Sequence, residues 1–347
     1  MLKTKNKRLR VFIYIFAALV IIAIAIGFYI RNIVFEPIEL KEKVYIYIEP
    51  TTKYEEVVEQ IKEKVDLPSE KFFQMISERM NYPKSVRTGR YAIKNAMTMP
   101  EVIRMLRSGN QTAVKLTFNN MRTKENLAGR ISNQLLMDSL TLLASIKDEK
   151  KIEELGFDSN TIVAMFIPNT YEVYWDTSVD KLLTRMQSEY NVFWNESRKA
   201  KAEQIGLTPL EVSTLASIVE EEATYSDEYP IVAGLYLNRL KRGQRLEADP
   251  TVKYAVGDFS LRRILYKHLE VESPYNTYRN DGLPPGPIRV PSINGIEATL
   301  SPQNHKYLFM CAKDDLSGRH NFATTHAEHV RNAARYQRAL NDRKIYK

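Results

Sequence analysis

Twenty consecutive residues without a charge, VFIYIFAALVIIAIAIGFYI at positions 11–30, constrain this chain more than any other feature. A helix crosses the hydrocarbon core of a bilayer with about 20 apolar residues, and this run supplies them. Lys3, Lys5, Lys7, Arg8 and Arg10 precede it, with no acidic residue among the first ten. Positive flanks stay on the cytoplasmic side. The expected arrangement is a basic cytoplasmic tail over 1–10, a single transmembrane helix over 11–31 in the cytoplasmic (inner) membrane, and an extracytoplasmic C-terminal bulk. Cleavage at Ala23-Ile24-Ala25 is the competing reading, but the apolar run continues past those alanines where a signal peptide would turn polar. The same five cations account for much of the net charge of +8. What remains, about +3, is weak for a nucleic-acid surface. The single cysteine, Cys311, lies far from the anchor, which excludes both a lipid-modified N-terminal cysteine and an internal disulfide.

Beyond the anchor, three segments alternate apolar strand, polar turn and amphipathic helix. Val44–Ile48 leads through Pro50 to a helix from near Tyr54. Gly89–Ile93 leads to a helix over Met99–Leu106 closed by Gly109, and Val114–Phe118 leads to a helix from near Thr123. Period-two alternation favours half-buried strands, and i, i+3, i+4 spacing favours helices on one sheet face. The fold class expected is α+β, with a small module over 40–115 and a larger domain over 116–345. Residues 125–205 read as mostly helical, broken by a loop at Phe166-Ile167-Pro168-Asn169-Thr170-Tyr171. Ser273–Pro291 carries five prolines and two glycines, so a long, stiff, non-helical segment is expected there.

Thr208-Pro209-Leu210-Glu211 is a strong helix start: a capping threonine, proline at the first helical position, and a glutamate completing the capping box. Val212, Leu215, Ala216 and Val219 then define a buried stripe, and Glu220, Glu221 and Glu222 follow. At about 100° per residue, Glu221 points away from the stripe into solvent, while Glu220 and Glu222 flank it. A carboxyl on such a flank is partly desolvated, which raises its pKa and keeps a proton available near neutral pH. On periodicity alone, a solvated acidic helix end is the simpler reading.

Leu215-Ala216-Ser217-Ile218-Val219-Glu220-Glu221-Glu222 closely resembles the signature of the endolytic murein transglycosylases, the YceG-like family. The similarity continues in Asn238-Arg239-Leu240, Arg245-Leu246, Asp249-Pro250-Thr251-Val252 and Tyr254. It resumes in Ser273-Pro274-Tyr275-Asn276-Thr277-Tyr278 and in Gly282–Ile288, and ends in His320, Phe322, Thr325 and Glu328-His329. Several motifs in order, over about residues 89–330, are far more specific than any one of them. Three positions depart from the family pattern: Asn169 stands where aspartate is usual, Glu247 where glutamine is common, and Asn119-Asn120-Met121 replaces a Pro-Glu-Gly turn.

The resemblance implies a membrane helix, a small sugar-binding LysM-like module, and cleavage of the β-1,4 bond between N-acetylmuramic acid and N-acetylglucosamine inside peptidoglycan strands. It makes Glu220, the first acid after the Ile-Val pair, the expected catalytic residue, with Glu222 and His329 in positioning or structural roles. Asn238, Asp249, Tyr275, Asn276, Thr277, Tyr278, His320, Thr325 and Glu328 become candidate substrate-binding residues. Such an enzyme needs one carboxyl, which protonates the departing glycosidic oxygen and then accepts the proton of the muramic C6 hydroxyl. Intramolecular attack leaves a 1,6-anhydro end and requires no cofactor. The implied role is to terminate nascent strands beside cell-wall synthases (penicillin-binding proteins). His320, His326 and His329 lack a standard zinc spacing, so no metal is expected. Two alternatives stay open. One is a hydrolytic muramidase using Asp249 or Glu222 as a second carboxyl; the other is a non-catalytic, membrane-anchored wall-binding scaffold.

Overall fold

The computed structural model describes residues 2–261 and 263–343. Met1 of the expected tail and residues 344–345 of the expected larger domain lie outside the described residues, as do the side chains of Lys3, Lys5 and Arg8. The chain divides into two compact units, Met1–Val114 with Glu172–Asp176, and Lys115–Tyr171 with Thr177–Lys347. The return of Glu172–Asp176 to the first unit is not anticipated by a contiguous reading of the sequence.

In the first unit, a helix over Leu2–Val34 contains one stretch, Leu9–Val34, that is long and apolar enough to cross a membrane. None of that stretch is buried inside the protein. Ile33, at its end, packs against the core of the module that follows, and Ile38 exchanges backbone hydrogen bonds with Ala96 and Met97. The module places strand Val44–Ile48 antiparallel to strand Gly89–Ile93, with Ile46 opposite Tyr91. Two helices, Tyr54–Lys64 and Glu70–Arg79, connect the strands. The second was not expected: Ser69 caps it by accepting from the Phe72 amide, and Phe73 is its fully buried anchor. Ile46, Ile48, Val57, Ile61, Phe73, Tyr91 and Ile93 meet Val102, Ile103 and Leu106 of helix Met99–Ser108 in one core. That last helix ends as read, with Gly109 at φ +73°, a left-handed conformation glycine adopts without steric cost.

The second unit is built around helix Pro209–Glu222. The capping box forms as expected: the Thr208 hydroxyl accepts from the Glu211 amide, and the Glu211 carboxylate accepts from the Thr208 amide at 2.7 Å. Every residue from Val212 to Glu220 is buried, so the helix is enclosed on all sides and the stripe inferred from periodicity is only part of its buried surface. It packs against helices Tyr229–Lys241, Asp249–Val256 and Ile293–Leu300. Residues 273–292 contain no helix or strand, as their prolines require. The Phe166–Tyr171 segment packs: Phe118 lies against both Phe166 and Tyr171, and the Tyr171 hydroxyl donates to the Ile167 carbonyl. An antiparallel hairpin, Phe309–Ala312 with His320–Ala323, is backed by the C-terminal helix His326–Asp342.

Removing the Thr208 cap orphans one amide at the start of an otherwise buried helix. Thr208→Ala is expected to cost about 1 kcal/mol and to lower the midpoint of denaturant unfolding without changing its slope.

Candidate active site

The three glutamates ending the Pro209–Glu222 helix enter three different environments. Glu220, only 8% exposed, turns onto the proline-rich segment. Its carboxylate accepts from the Ser292 amide at 3.0 and 3.2 Å and from the Ser292 hydroxyl in a short contact. Ser292 caps helix Ile293–Leu300, so the negative charge sits where that helix's free amides and dipole favour an anion. Arg289 Nε lies 3.5 Å from the same carboxylate. Gly295 completes the arrangement, since a Cβ there would fall 2.2 Å from Glu220 Oε1.

Glu221 does not project freely into solvent. Arg122 grips it with two hydrogen bonds of 3.2 and 2.9 Å, and Arg289 donates to it at 2.8 Å. Arg289 also reaches Asn120, which holds the left-handed conformation that asparagine tolerates at φ +54°. The Val290 amide donates to the Met121 carbonyl and the Ile288 amide to the Ser217 hydroxyl. The substituted Asn119-Asn120-Met121 turn is thus a fastening point for the proline-rich segment. Charges alternate along Glu220–Arg289–Glu221–Arg122, and the last glutamate of the triplet is the one that lines the cleft.

Glu222 is half-buried and opens onto a cleft of about 280 Å³. Its carboxyl is held well above its ordinary value of 4.5, at about 7. Loss of hydration is the largest cause; the Tyr236 hydroxyl, donating to it at 3.0 Å, opposes the rise, and the neighbouring Asp249 charge adds to it. At neutral pH this group is partly protonated, whereas an ordinary carboxyl would be ionised. Asp249 accepts from the Tyr278 hydroxyl at 2.7 Å, and burial together with that bond raises the Tyr278 pKa further. Arg239, 7% exposed, braces the cleft by donating to the carbonyls of Leu308, Arg245 and Leu246 and to the Glu247 carboxylate at 2.9 Å. Glu247 holds φ +49°, a left-handed conformation uncommon for a residue with a side chain. Strand residues Met310, Cys311, Ala312 and His320 close the other wall. His320 Nδ1 lies 3.0 Å from the buried Glu228 carboxylate, which also accepts the His320 backbone amide.

Of the residues expected from sequence to bind substrate, Asp249, Tyr278 and His320 line this cleft. The others are spoken for elsewhere. Asn238 spends its amide on the His305 and Tyr307 carbonyls. Asn276, fully buried, donates to the Leu269 and Val271 carbonyls and accepts from the Tyr278 amide. Thr277 binds the Ala248 amide and the Thr251 hydroxyl, and Tyr275 packs on Tyr254 within the core. Thr325 and Glu328 cap the C-terminal helix, the first by accepting from the Glu328 amide and the second from the Thr324 amide. His329 stacks on Phe309, and burial lowers its pKa. Sequence reasoning missed Tyr236, Arg239 and Glu228 as members of the site. Arg239 lies inside the Asn238-Arg239-Leu240 motif, but only the fold shows it buried against the carbonyls of Leu308, Arg245 and Leu246.

Residues 46–335 match the YceG-like family model. This chain belongs to the YceG-like family. As a member, it is 29% identical over 328 residues to an endolytic murein transglycosylase of Bacillus subtilis strain 168, covering 89% of this chain and 90% of that protein. It is 25% identical over 299 residues to the endolytic murein transglycosylase of Streptococcus pneumoniae R6, covering 76% of this chain. The match spans 53% of the length of that pneumococcal relative. A crystal structure of a YceG-like protein from Listeria monocytogenes superposes with a TM-score of 0.55 at 26% identity, over 84% of this chain and 99% of that one.

The crowding at Gly295 gives a direct check on the Glu220 anchor. Gly295→Ala forces the carboxylate off Ser292 and is expected to lower the melting temperature by several degrees, whereas Gly257→Ala, with open space around its Cβ position, is limited to the strain of its left-handed backbone. A melting temperature unchanged in Gly295→Ala would mean that the Glu220–Ser292 contact contributes nothing.

Proposed function

We propose that this chain is a membrane-anchored lytic transglycosylase of peptidoglycan and that Glu222, in place of Glu220, is its general acid. The observation that carries this reading is the Glu222 carboxyl, raised to about 7 and opening onto a polar cleft. A general acid works best with a pKa near the operating pH. Glu220 is unsuited to the task because its carboxylate is already engaged by the Ser292 amide and hydroxyl and approached by Arg289, so it is turned onto protein rather than onto the cleft. Its part is to hold the end of the helix in place.

The reaction proposed is cleavage of the β-1,4 bond from N-acetylmuramic acid to N-acetylglucosamine within a strand. Glu222 protonates the departing oxygen, and the muramic C6 hydroxyl closes onto C1 to leave a 1,6-anhydro end. Asp249 is the obvious second carboxyl for a hydrolytic mechanism; one of its oxygens accepts from the Tyr278 hydroxyl, and the products of digestion decide between the two acceptors. Anchoring by Leu9–Val34, with the catalytic unit outside the cytoplasmic membrane, suits action on strands as they leave cell-wall synthases and so a role in terminating them. The strand–helix–helix–strand order of the small module supports a LysM-like, glycan-binding part over residues 40–115, and the catalytic domain is assigned to the residues that follow.

The decisive experiment digests peptidoglycan with the detergent-solubilised full chain and its Glu222→Gln and Glu220→Gln variants, with mass spectrometry of the products. Anhydro-muramic ends from the wild type, a loss of at least about 100-fold in Glu222→Gln, and substantial retention in Glu220→Gln are expected. Reducing ends would make water the acceptor; loss only in Glu220→Gln would return the acid to that residue.

The raised carboxyl also predicts a pH signature. Between about 4.5 and about 7 the folded protein holds a proton on Glu222 that the unfolded chain releases, so this group's contribution to stability is lost as pH rises through that window. Above pH 7, Glu222→Gln is therefore expected to melt higher than the wild type, with the advantage vanishing below about pH 4.5. A constant difference across the range would show that Glu222 titrates normally.

A further inference from the structure

We propose that His320, oriented by the buried Glu228, is a second catalytic residue that accepts the acetamido N–H proton of the muramic residue being cleaved. This rests on the transglycosylase reading above. His320 sits on the hairpin wall of the cleft, while Glu222 and Tyr236 sit on the helix wall. Glu228 is 5% exposed, and both its oxygens are committed to this one residue, Oε1 to the His320 amide and Oε2 to the ring Nδ1, each at 3.0 Å. An ionised carboxylate only accepts, so it fixes the tautomer with the proton on Nδ1. Nε2 is left as the acceptor of the ring. Among the described residues no hydrogen bond to protein engages Nε2, although the ring lines the cleft. Burying a carboxylate to hold one imidazole costs stability, and a fully satisfied acid on one side with an unused acceptor on the other is an arrangement suited to a substrate.

The chemistry singles out which substrate proton that acceptor serves. The leaving oxygen departs from the β face of the muramic ring, and the 1,6-anhydro bridge forms on that same face. Glu222, having given up its proton there, can take the C6 hydroxyl proton itself. The opposite face is left for the 2-acetamido group, whose carbonyl oxygen can bond to C1 as the C1–O4 bond breaks. In that half-reaction O4 receives the Glu222 proton and the amide N–H proton passes to His320 Nε2. In the second half the C6 oxygen bonds to C1, its proton returns to the Glu222 carboxylate, the bond from C1 to the carbonyl oxygen breaks, and the nitrogen recovers its proton from His320. Every proton is restored and no co-reactant is needed. Removing the amide proton as the carbonyl attacks keeps positive charge from accumulating on the sugar, an effect exerted in the transition state more than in binding.

The test uses the detergent-solubilised full chain on short glycan strands whose muramic nitrogen carries either acetyl or trifluoroacetyl. His320→Asn and Glu228→Gln are each expected to lower kcat by about 100-fold while KM stays within about threefold and the products remain anhydro ends. For the wild type, trifluoroacetyl strands are expected to react at least about 10-fold more slowly, because fluorine weakens the carbonyl as a nucleophile. Wild-type kcat in His320→Asn, or a wild-type rate indifferent to fluorine with anhydro ends still produced, would overturn the role of His320 and leave the transglycosylase reading standing. A loss in both variants carried by KM, or by a lowered melting temperature, would reduce the pair to structural support and overturn it equally. Reducing ends, or no cleavage by the wild type, would bring down both proposals together.

Discussion

The site depends on how the last turn of one helix is fastened. Three consecutive glutamates would repel each other at a helix C-terminus, which is also the end whose dipole disfavours anions. Here the first is absorbed by the N-terminus of another helix through Ser292, and the second by two arginines, one of which also approaches the first. These partners come from two segments far apart in the chain: the 119–122 turn, and residues 289–292, where the proline-rich run meets the cap of Ile293–Leu300. Because that network holds Glu220 and Glu221, the position of Glu222 is determined with little freedom left to it. A general acid is useful only when its proton is held within hydrogen-bonding distance of the leaving oxygen, and this rigidity serves the role proposed for Glu222.

The same fastening creates the electrostatic contrast within the triplet. Glu220 is held by the donors at the start of another helix; Glu222 has lost much of its hydration and faces the Asp249 charge, which favour its neutral form against the opposing Tyr236 hydrogen bond. Two carboxyls on the same turn are placed in different surroundings, which is the basis of the separate roles proposed for them. Arg239 keeps the cleft in shape from behind, tying the helix wall to Leu308 at the start of the hairpin and to the strained Glu247 loop. The hairpin in turn brings His320 to the facing wall, where Glu228, from just before helix Tyr229–Lys241, holds its ring.

Sequence patterns served well wherever the determining forces are local. The capping box at Thr208–Glu211, the left-handed Gly109 and the non-helical run through five prolines depend on neighbours within a few residues, and each formed as read. The helix Glu70–Arg79 was missed although Ser69 and Glu70 start it, because its buried side is short. Among the substrate-binding candidates, Asn238, Asn276 and Thr277 illustrate a different limit. A polar residue in a motif can serve a ligand or the backbone, and here uncapped loop carbonyls and amides claimed all three.

The sequence by itself determined the apolar helix, the strand and helix segments around it, the order of the motifs that mark the family, and the presence of an acid triplet at the end of a buried helix. It could not say which of the three acids faces the cleft. Helical periodicity assigned Glu220 and Glu222 to equivalent flanks, and nothing local separates them. The choice was made by tertiary structure, which set Ser292 and Arg289 beside one flank and a partly dehydrated cleft beside the other. The physical reason is that a carboxyl's charge state follows the donors, dipoles and water around it, and those are supplied by segments brought together only when the chain folds.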